Sequence, residues 1–140
     1  MKGLVRRRER IVRVRRVQHL QVAAAAAQAE GRALQLETTS DRLRDLRGSL
    51  AATPGVTFGA ALANVNELGA RLEKVRDGLT DAIVGARATA AEQAALRLAA
   101  RIREESAVRL KERSDALWAA DRERRLSRIA GRRPVRGDGA

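Results

Sequence analysis

The side chains of this sequence that could carry out acid–base chemistry are neighbouring carboxylates and one histidine. Asp77 lies four residues before Asp81, and Glu104 is followed directly by Glu105. On a charge-rich helix, carboxylates at these spacings are far more often paired with surface cations than used as an acid–base pair. His19 is the only histidine and there is no cysteine, so the sequence offers neither a nucleophile–base pair nor a set of metal ligands. The sequence therefore predicts a protein that is not an enzyme and holds no cofactor and no metal.

Arginine is the residue type whose number and position do suggest a function, and that function is binding. Residues 1–16 hold eight basic side chains against one glutamate, a net charge of +7, and residues 122–136 hold seven arginines against one glutamate, a net +6. Residues 17–121 carry 14 basic and 14 acidic side chains, although the whole chain carries +12. This uneven distribution predicts that the two ends contact an acidic or polyanionic partner.

The composition indicates that long helices present these charged ends. The 140 residues include 28 alanines but only two aromatic residues, Phe58 and Trp118, so large side chains for a compact core are scarce. With a third of the residues charged, this is typical of long helices or coiled coils. Pro54 and Gly55 favour a turn because proline cannot continue a helix. The sequence predicts a single domain over 1–140, with helices at about 4–52 and 60–130, a turn at 53–59 and a disordered basic tail at 131–140.

The second helix has the clearer heptad pattern. Alternate steps of three and four residues from Val65 give sixteen positions, of which twelve are apolar, and this predicts a coiled-coil seam. These positions are Val65, Leu68, Leu72, Val75, Leu79, Ala82, Ala86, Thr89, Gln93, Leu96, Ala100, Arg103, Ala107, Leu110, Ser114 and Leu117. Thr89 and Glu92 have capping-box spacing, so a new helix starting near Gly85 is the alternative to one continuous helix.

The first helix has two apolar columns. One column is a seven-residue repeat that consists of Val22, Ala29, Leu36, Leu43 and Leu50. Ala25 and Leu46 lie beside this repeat and widen it. Leu4 and Ile11 form a second repeat that is offset by four residues, which predicts a stutter. The alanine run 23–27 combines high helix propensity with small side chains and predicts close approach of the two helices.

Two amphipathic helices joined by a short turn predict an all-α fold, namely an antiparallel two-helix coiled-coil hairpin whose second helix is longer than the first. Pairing around the turn places Leu4 near residue 108 and leaves the end of the second helix unpaired. Both chain ends then lie at the same end of the hairpin. The two basic clusters are therefore expected to form one basic tip.

The basic ends leave more than one partner open. Arginine clusters bind phosphate through counterion release, so an arginine-rich nucleic-acid-binding coiled coil is one alternative. No aromatic residue lies among the basic ones to stack on bases, and no groove-reading motif is present. Ile11, Val14 and Val17 give the N-terminal stretch an apolar face that a phosphate binder does not need. A lipid surface is less favoured because this face is narrow and lacks aromatics, and a structural coiled-coil scaffold is the remaining alternative.

The segment Ile11-Val12-Arg13-Val14-Arg15-Arg16-Val17-Gln18, followed by an Ala- and Gln-rich helix, resembles the opening of the flagellar export protein FliJ and its type III secretion relatives, the YscO-like stalk proteins. The resemblance implies a coiled-coil hairpin similar to the γ stalk of rotary ATPases. It implies a non-enzymatic stalk and general chaperone component in the cytoplasm, peripheral to the inner membrane. The partners it implies are a hexameric export ATPase, an export-gate membrane protein and export chaperones.

In that family, the tip that bears both termini enters the ring of the ATPase. The motif and its flanking arginines assign Val12, Arg13, Val14, Arg15, Arg16, Val17 and Gln18 to this ATPase-facing tip, and position alone adds Leu117, Trp118, Arg122 and Arg125. Trp118 follows a seam residue, so it either covers the helix pair or contacts the partner. Because alanine-rich seams bury little apolar area, the sequence also predicts a hairpin of marginal stability.

Overall fold

The computed structural model describes residues 2–51 and 59–131, and this part of the chain is all-helical. Helix α1 spans Lys2–Ala51 with 50 residues, and helix α2 spans Gly59–Ala130 with 72 residues. The backbone N–H of Gly131 donates a hydrogen bond to the carbonyl of Ser127 at 2.9 Å. The prediction of an all-α chain with a longer second helix is confirmed. Residues 53–58 of the predicted turn and 132–140 of the predicted tail lie outside the described residues.

Both helices are long because nothing in their sequences stops them. The two prolines of the chain lie outside α1 and α2, and alanine has the highest helix propensity. Thr89, proposed above as a possible new start, instead donates its hydroxyl to the carbonyl of Gly85 at 3.1 Å. This bond to the residue four positions earlier is the one that a threonine makes inside a helix. Helix α2 therefore continues through Gly85.

Contacts divide the chain into two units. The terminal unit combines Met1–Leu20 with Ala99–Ala140, and the central unit is Gln21–Leu98. Each unit contains a stretch of α1 and a stretch of α2, so each has its own pairing of the two helices.

In the terminal unit the two helices run antiparallel. His19 contacts Glu104, while Val5, near the start of α1, shares a cleft with Trp118, much further along α2. The seam residues, which are the ones turned towards the other helix, recur at steps of three and four. In α1 they are Val5, Arg8, Val12, Arg15 and His19, and in α2 they are Ala100, Glu104, Ala107, Lys111, Ser114 and Trp118.

In the central unit the helices are also antiparallel. Arg47 forms an ion pair with Glu73, and Glu37 forms one with Arg87. The residues most shielded from solvent are alanines, namely Ala26, Ala33 and Ala90, and Ala33 is completely buried. Of the alanine run 23–27, Ala26 is the buried member, which agrees with the close approach predicted there.

The predicted register between the helices is wrong. Leu4 was expected near residue 108, whereas its neighbour Val5 lies beside Trp118. The prediction counted residues symmetrically on both sides of Pro54 and Gly55. In the central unit, however, residues 59–64 at the start of α2 are all exposed, and the seam begins only at Val65.

One of the two predicted columns of the α2 seam is also wrong, by one residue. The column that contains Val65, Leu72 and Leu79 is turned towards α1 as predicted. The apolar members of the other column are exposed, namely Leu68, Val75, Ala82, Leu96, Leu110 and Leu117. The positions that follow five of them face α1 instead, and they are Gly69, Arg76, Ile83, Lys111 and Trp118, whereas Arg97, which follows Leu96, is exposed.

The same correction applies to α1. Leu4, Ile11, Ala25 and Leu46 are exposed, and the residues that follow the first three, Val5, Val12 and Ala26, are turned inwards. Arg8, Arg15 and Val22 are all turned towards α2 and follow one another at intervals of seven residues. The repeat therefore continues without an offset, and the predicted stutter is wrong.

Ion pairs between the helices explain why the seam departs from the most apolar stripe. Arg87 binds Glu30 and Glu37 in the central unit, and Arg16 binds Glu104 in the terminal unit. Arg16, Glu30, Glu37 and Arg87 each come directly after a seam position. The side of each helix that carries these residues must therefore turn towards the other helix. The residues directly before the seam positions are then turned outwards.

Candidate partner-binding site in the terminal unit

Basic residues from both ends of the chain meet in the terminal unit. One cleft of about 550 Å³ is lined by Lys2, Trp118, Asp121, Arg122 and Arg125. A second cleft of about 280 Å³ is lined by Lys2, Val5, Arg6, Glu9 and Trp118. The two clefts share Lys2 from the first turn of α1 and Trp118 from α2, so they form one open surface with a surplus of positive charge.

Trp118 is the centre of this surface. It occupies a seam position opposite Val5, and the guanidinium of Arg122, one turn later, lies 5.7 Å from the centre of its ring. This is the distance of a cation–π contact. The expected order of Leu117 and Trp118 is therefore reversed, because Leu117 is the exposed residue of the two. Trp118 covers the helix pair, which is the first of the two roles left open above, and it also lines both clefts. Its contact with a partner stays a prediction.

The charges around Trp118 are mostly open to solvent. Arg125 donates to Asp121 at 2.9 Å, yet 70% of its side chain is exposed. Such an exposed pair contributes little to stability, so Arg125 can exchange Asp121 for a carboxylate of a partner at small cost. Two turns before Trp118, Lys111 donates to Asp115 at 2.7 Å, and the contact raises the pKa of Lys111.

The segment that resembles FliJ divides between two sides of α1. Val12 and Arg15 are turned towards α2, and Arg15 donates to the side-chain oxygen of Gln18 at 3.0 Å. Arg13 is exposed and has no ion pair or hydrogen bond within residues 2–51 and 59–131, and Val14 and Val17 are exposed as well. Val12 and Arg15 thus lie in the helix pair, whereas Arg13, Val14 and Val17 are open to solvent.

Glu104 fixes the position of this segment against α2. Its carboxylate accepts a hydrogen bond from Nδ1 of His19 at 2.6 Å and one from Nε of Arg16 at 3.4 Å. The side chains of Glu104 and His19 are only 18% and 22% exposed. The hydrogen bond from His19, followed by that from Arg16, lowers the pKa of Glu104, although burial acts in the opposite direction. An ionised carboxylate can only accept, so the His19 Nδ1 carries the proton.

The residues predicted for the ATPase-facing tip do not form one cluster. Arg16, near the end of the motif, binds Glu104, whereas Trp118, Arg122 and Arg125 lie beside Lys2. Glu104 and Trp118 are fourteen residues apart on one helix, which is about 21 Å. Sequence reasoning missed Lys2, Val5 and Asp121 as neighbours of Trp118, because they carry no motif and the register that joins them was unknown.

No protein-family model, curated protein or solved structure matches this chain. Within the described helices there is no stretch long and apolar enough to cross a membrane. Residues 2–51 and 59–131 also contain no group of three or more histidine or acidic side chains placed to hold a metal ion.

Proposed function

We propose that this protein is the stalk component of a flagellar or related type III protein export apparatus. In this proposal α1 and α2 form an antiparallel coiled-coil hairpin, and the terminal unit inserts into the ring of a hexameric export ATPase. The observation that carries the proposal is the meeting of Lys2, Arg122 and Arg125 around Trp118, because it joins basic side chains from both ends of the chain on one surface.

The physics of a stalk inside a ring suits this surface. A single asymmetric stalk has to engage several identical subunits without locking onto one of them. Exposed arginines make long-range contacts that tolerate small shifts, which a single tight pocket does not. Arg125 is 70% exposed and Arg16 is 66% exposed, and both already bind a carboxylate within the chain. Acidic loops of the ring would offer the same ligand.

The remaining parts of the proposal rest on the resemblance of residues 11–18 to the FliJ family. They are a contact with the export-gate membrane protein, contacts with export chaperones, and a place at the cytoplasmic face of the inner membrane. No residue of this chain is assigned to the export gate or to the chaperones.

The test is the turnover of a purified hexameric export ATPase from the same organism, with and without the full-length chain. We expect the chain to stimulate ATP hydrolysis several-fold, and we expect the triple variant Lys2→Glu, Arg122→Glu, Arg125→Glu to lose the stimulation. A second triple variant, Arg13→Glu, Arg15→Glu, Arg16→Glu, tests the motif segment in the same way.

The matched control changes the same amount of charge elsewhere. Arg32, Arg42 and Lys74 are exposed in the central unit and form no ion pair within the described residues, so replacing all three by Glu should leave the stimulation intact. Equal loss in all three triple variants would show that only net charge matters. Absence of stimulation together with tight DNA or RNA binding at about 150 mM salt would support the nucleic-acid alternative instead.

A further inference from the structure

The terminal unit has one charged side and one apolar side along its helix pair. The seam residues can be labelled with the heptad letters a and d, so that each e position directly follows a d position and each g position directly precedes an a position. The a residues are Val5, Val12 and His19 in α1 and Glu104, Lys111 and Trp118 in α2. The d residues are Arg8 and Arg15 in α1 and Ala100, Ala107 and Ser114 in α2. In an antiparallel pair the e positions of both helices share one side and the g positions share the other. Lys2, Glu9, Arg16 and Arg122 are e residues, and they line the clefts at Trp118 or bind Glu104.

The g side of the terminal unit carries large apolar side chains that nothing in the described chain covers. Leu4 is 49% exposed, Ile11 43%, Leu110 47% and Leu117 60%. The register that pairs Val5 with Trp118 places Leu4 opposite Leu117 and Ile11 opposite Leu110. Val14, at the neighbouring c position, is 54% exposed and extends the strip along α1. These four g residues and Val14 are called the apolar face below.

The heptad spacing of this face is a sign that it serves a further helix. Leu4 and Ile11 are seven residues apart, and so are Leu110 and Leu117. This is the spacing that keeps side chains against one neighbouring helix, and it was the basis of the seam predicted from the sequence. Since the helices of this chain pair through other residues, the repeat is left available for a partner.

The charges that edge the apolar face are all positive. Arg7, Arg103, Arg113 and Arg124 occupy g and c positions, and all four are exposed. None of them forms an ion pair or hydrogen bond within the part of the chain that the structure describes. No aspartate or glutamate occupies a g or c position in the described residues of the terminal unit. The acidic residues that balance arginines elsewhere in this unit, such as Asp121 and Glu104, are seam residues, so this edge has unpaired positive charge.

We propose that the apolar face binds an amphipathic, acidic helix of a partner protein. The apolar stripe of such a helix would cover Leu4, Ile11, Leu110 and Leu117, which is the helix-in-groove mode of recognition. Its flanking carboxylates would pair with the four arginines, and this complementarity sets the choice of partner and the orientation of the bound helix.

Other occupants fit the same residues less well. A second copy of this chain would bring the same arginines against each other, because a two-fold interface uses the same surface twice. Nucleic acid would use the arginines but would leave the leucines exposed. A membrane surface would be expected to use tryptophan or phenylalanine at the interface, and the apolar face has neither.

Apart from Val14 and Leu117, which the sequence assigned to the ATPase-facing tip, the apolar face is separate from the surface at Trp118 that carries the stalk proposal. The clefts at Trp118 lie on the e side, and the apolar face lies on the g side. The inference therefore does not depend on the stalk function, and the two proposals can fail independently.

The experiment uses the full-length chain and a synthetic peptide of about 18 residues, acetylated and amidated, with leucine in a heptad stripe and glutamate on both flanks of that stripe. A second peptide has lysine in place of every glutamate. Calorimetry should show binding of the glutamate peptide and none of the lysine peptide. The double variant Leu110→Gln, Leu117→Gln should weaken binding at least about ten-fold, and Arg103→Glu, Arg113→Glu should weaken it as well.

The matched control is the double variant Ile102→Gln, Leu126→Gln. These residues lie on α2 in the same unit and are 55% and 56% exposed, but they occupy outer positions away from the g side. Binding to this control should equal binding to the unmodified chain. The proposal is overturned if Leu110→Gln, Leu117→Gln binds the glutamate peptide as well as the control does, or if the lysine peptide binds equally.

Two further outcomes would assign the face to another occupant. If light scattering shows a dimer of the free chain that Leu110→Gln, Leu117→Gln dissociates, the face is an interface between copies. If the same variant fails to bind vesicles of phosphatidylglycerol and phosphatidylcholine that the unmodified chain binds, and neither peptide binds, the face is a lipid contact.

Discussion

At Glu104 one carboxylate holds two side chains of the opposite helix. His19 and Arg16 both donate to it, and the side chains of His19 and Glu104 are largely shielded from solvent. A carboxylate removed from water needs such donors, because an unpaired charge there would carry a large desolvation cost. Glu104 thus determines where the N-terminal stretch of α1 lies along α2.

Replacing Glu104 by Gln should lower the melting temperature at pH 7, and the difference from the unmodified chain should shrink in acid. The pKa of Glu104 is lowered in the folded chain, so its ionised form contributes stability above the ordinary glutamate pKa of about 4.3. That contribution is lost as the pH falls through the lower folded pKa. Circular-dichroism melts of both proteins at about pH 7, 5 and 3 measure the effect.

The control for this variant is Glu105→Gln. Glu105 pairs with Arg101 on the same helix and is 47% exposed, so its replacement should change the melting temperature little at any pH. A difference between Glu104→Gln and the unmodified chain that stays constant from neutral to acidic pH would contradict the role given to the ionised carboxylate.

Arg87 plays the corresponding part in the central unit, but through the shape of its guanidinium. Its Nε and Nη2 atoms each donate to one oxygen of Glu37 at 2.6 Å, and its Nη1 donates to Glu30 at 2.7 Å. A lysine has the same charge but cannot reproduce this fork. We expect Arg87→Lys to lower the melting temperature, nearly as much as Arg87→Ala does.

The matched change is Arg71→Lys, also in the central unit. Arg71 makes a single contact with Glu67 and is 74% exposed, so lysine should replace it without a measurable change. Equal melting temperatures for Arg87→Lys and the unmodified chain would show that charge alone, and not the fork, matters at this position.

At the scale of the helices, the sequence was sufficient to predict the elements but not their rotation. The existence of α1 and α2 followed from alanine content and from the places of the two prolines, because Pro54 lies in the predicted turn and Pro134 in the predicted tail. The column through Val65 and Leu72 was predicted correctly, because it is apolar and no ion pair competes for its place. The column through Leu110 and Leu117 was not, because the ion pairs of Arg87 and Arg16 with the other helix lie on the opposite side of the seam, and the stripe that faces the partner is turned by about half of the ~100° between consecutive residues.

The register between the helices was beyond the sequence for a related physical reason. Alanine seams have few large side chains that interlock with only one partner position, so apolar pattern alone allows several alignments. The alignment is fixed by pairs such as His19 with Glu104, which cannot be recognised before the register is known. For this reason the meeting of Lys2 with Trp118 was not predicted either.

Ala33 provides a direct test of how closely the helices must approach. It is fully buried in the seam of the central unit, so a larger side chain there would force the helices apart. We expect Ala33→Leu to lower the free energy of unfolding by about 1–3 kcal/mol, as for other overpacked sites. Ala27→Leu on the same helix is the control, because Ala27 is exposed. Urea unfolding of both variants gives the comparison, and a stabilised Ala33→Leu would contradict the close seam.

At the scale of the whole chain, the described residues bury little that is large. The buried set consists of Ala26, Ala33, Ala90, Ala100, Ala107 and Ser114, and no large side chain is fully buried. Burial of a leucine or phenylalanine contributes about 1.5–3 kcal/mol, whereas burial of one methyl group contributes only about 0.8 kcal/mol. Many of the leucines and valines that could add more are exposed, and those in the seam, such as Val65, Leu72 and Leu79, are only partly buried, so the free chain relies largely on helix propensity and ion pairs.

We therefore expect the isolated full-length chain to be marginally stable, with a circular-dichroism midpoint below about 70 °C. A partner that covers the apolar face binds only the folded chain, so the glutamate peptide at about 100 times its dissociation constant should add roughly 2.7 kcal/mol and raise the midpoint. The lysine peptide at the same concentration should leave the midpoint unchanged, since it would not bind. A cooperative transition well above 70 °C for the free chain would instead mean that the alanine seam and its ion pairs suffice without a partner.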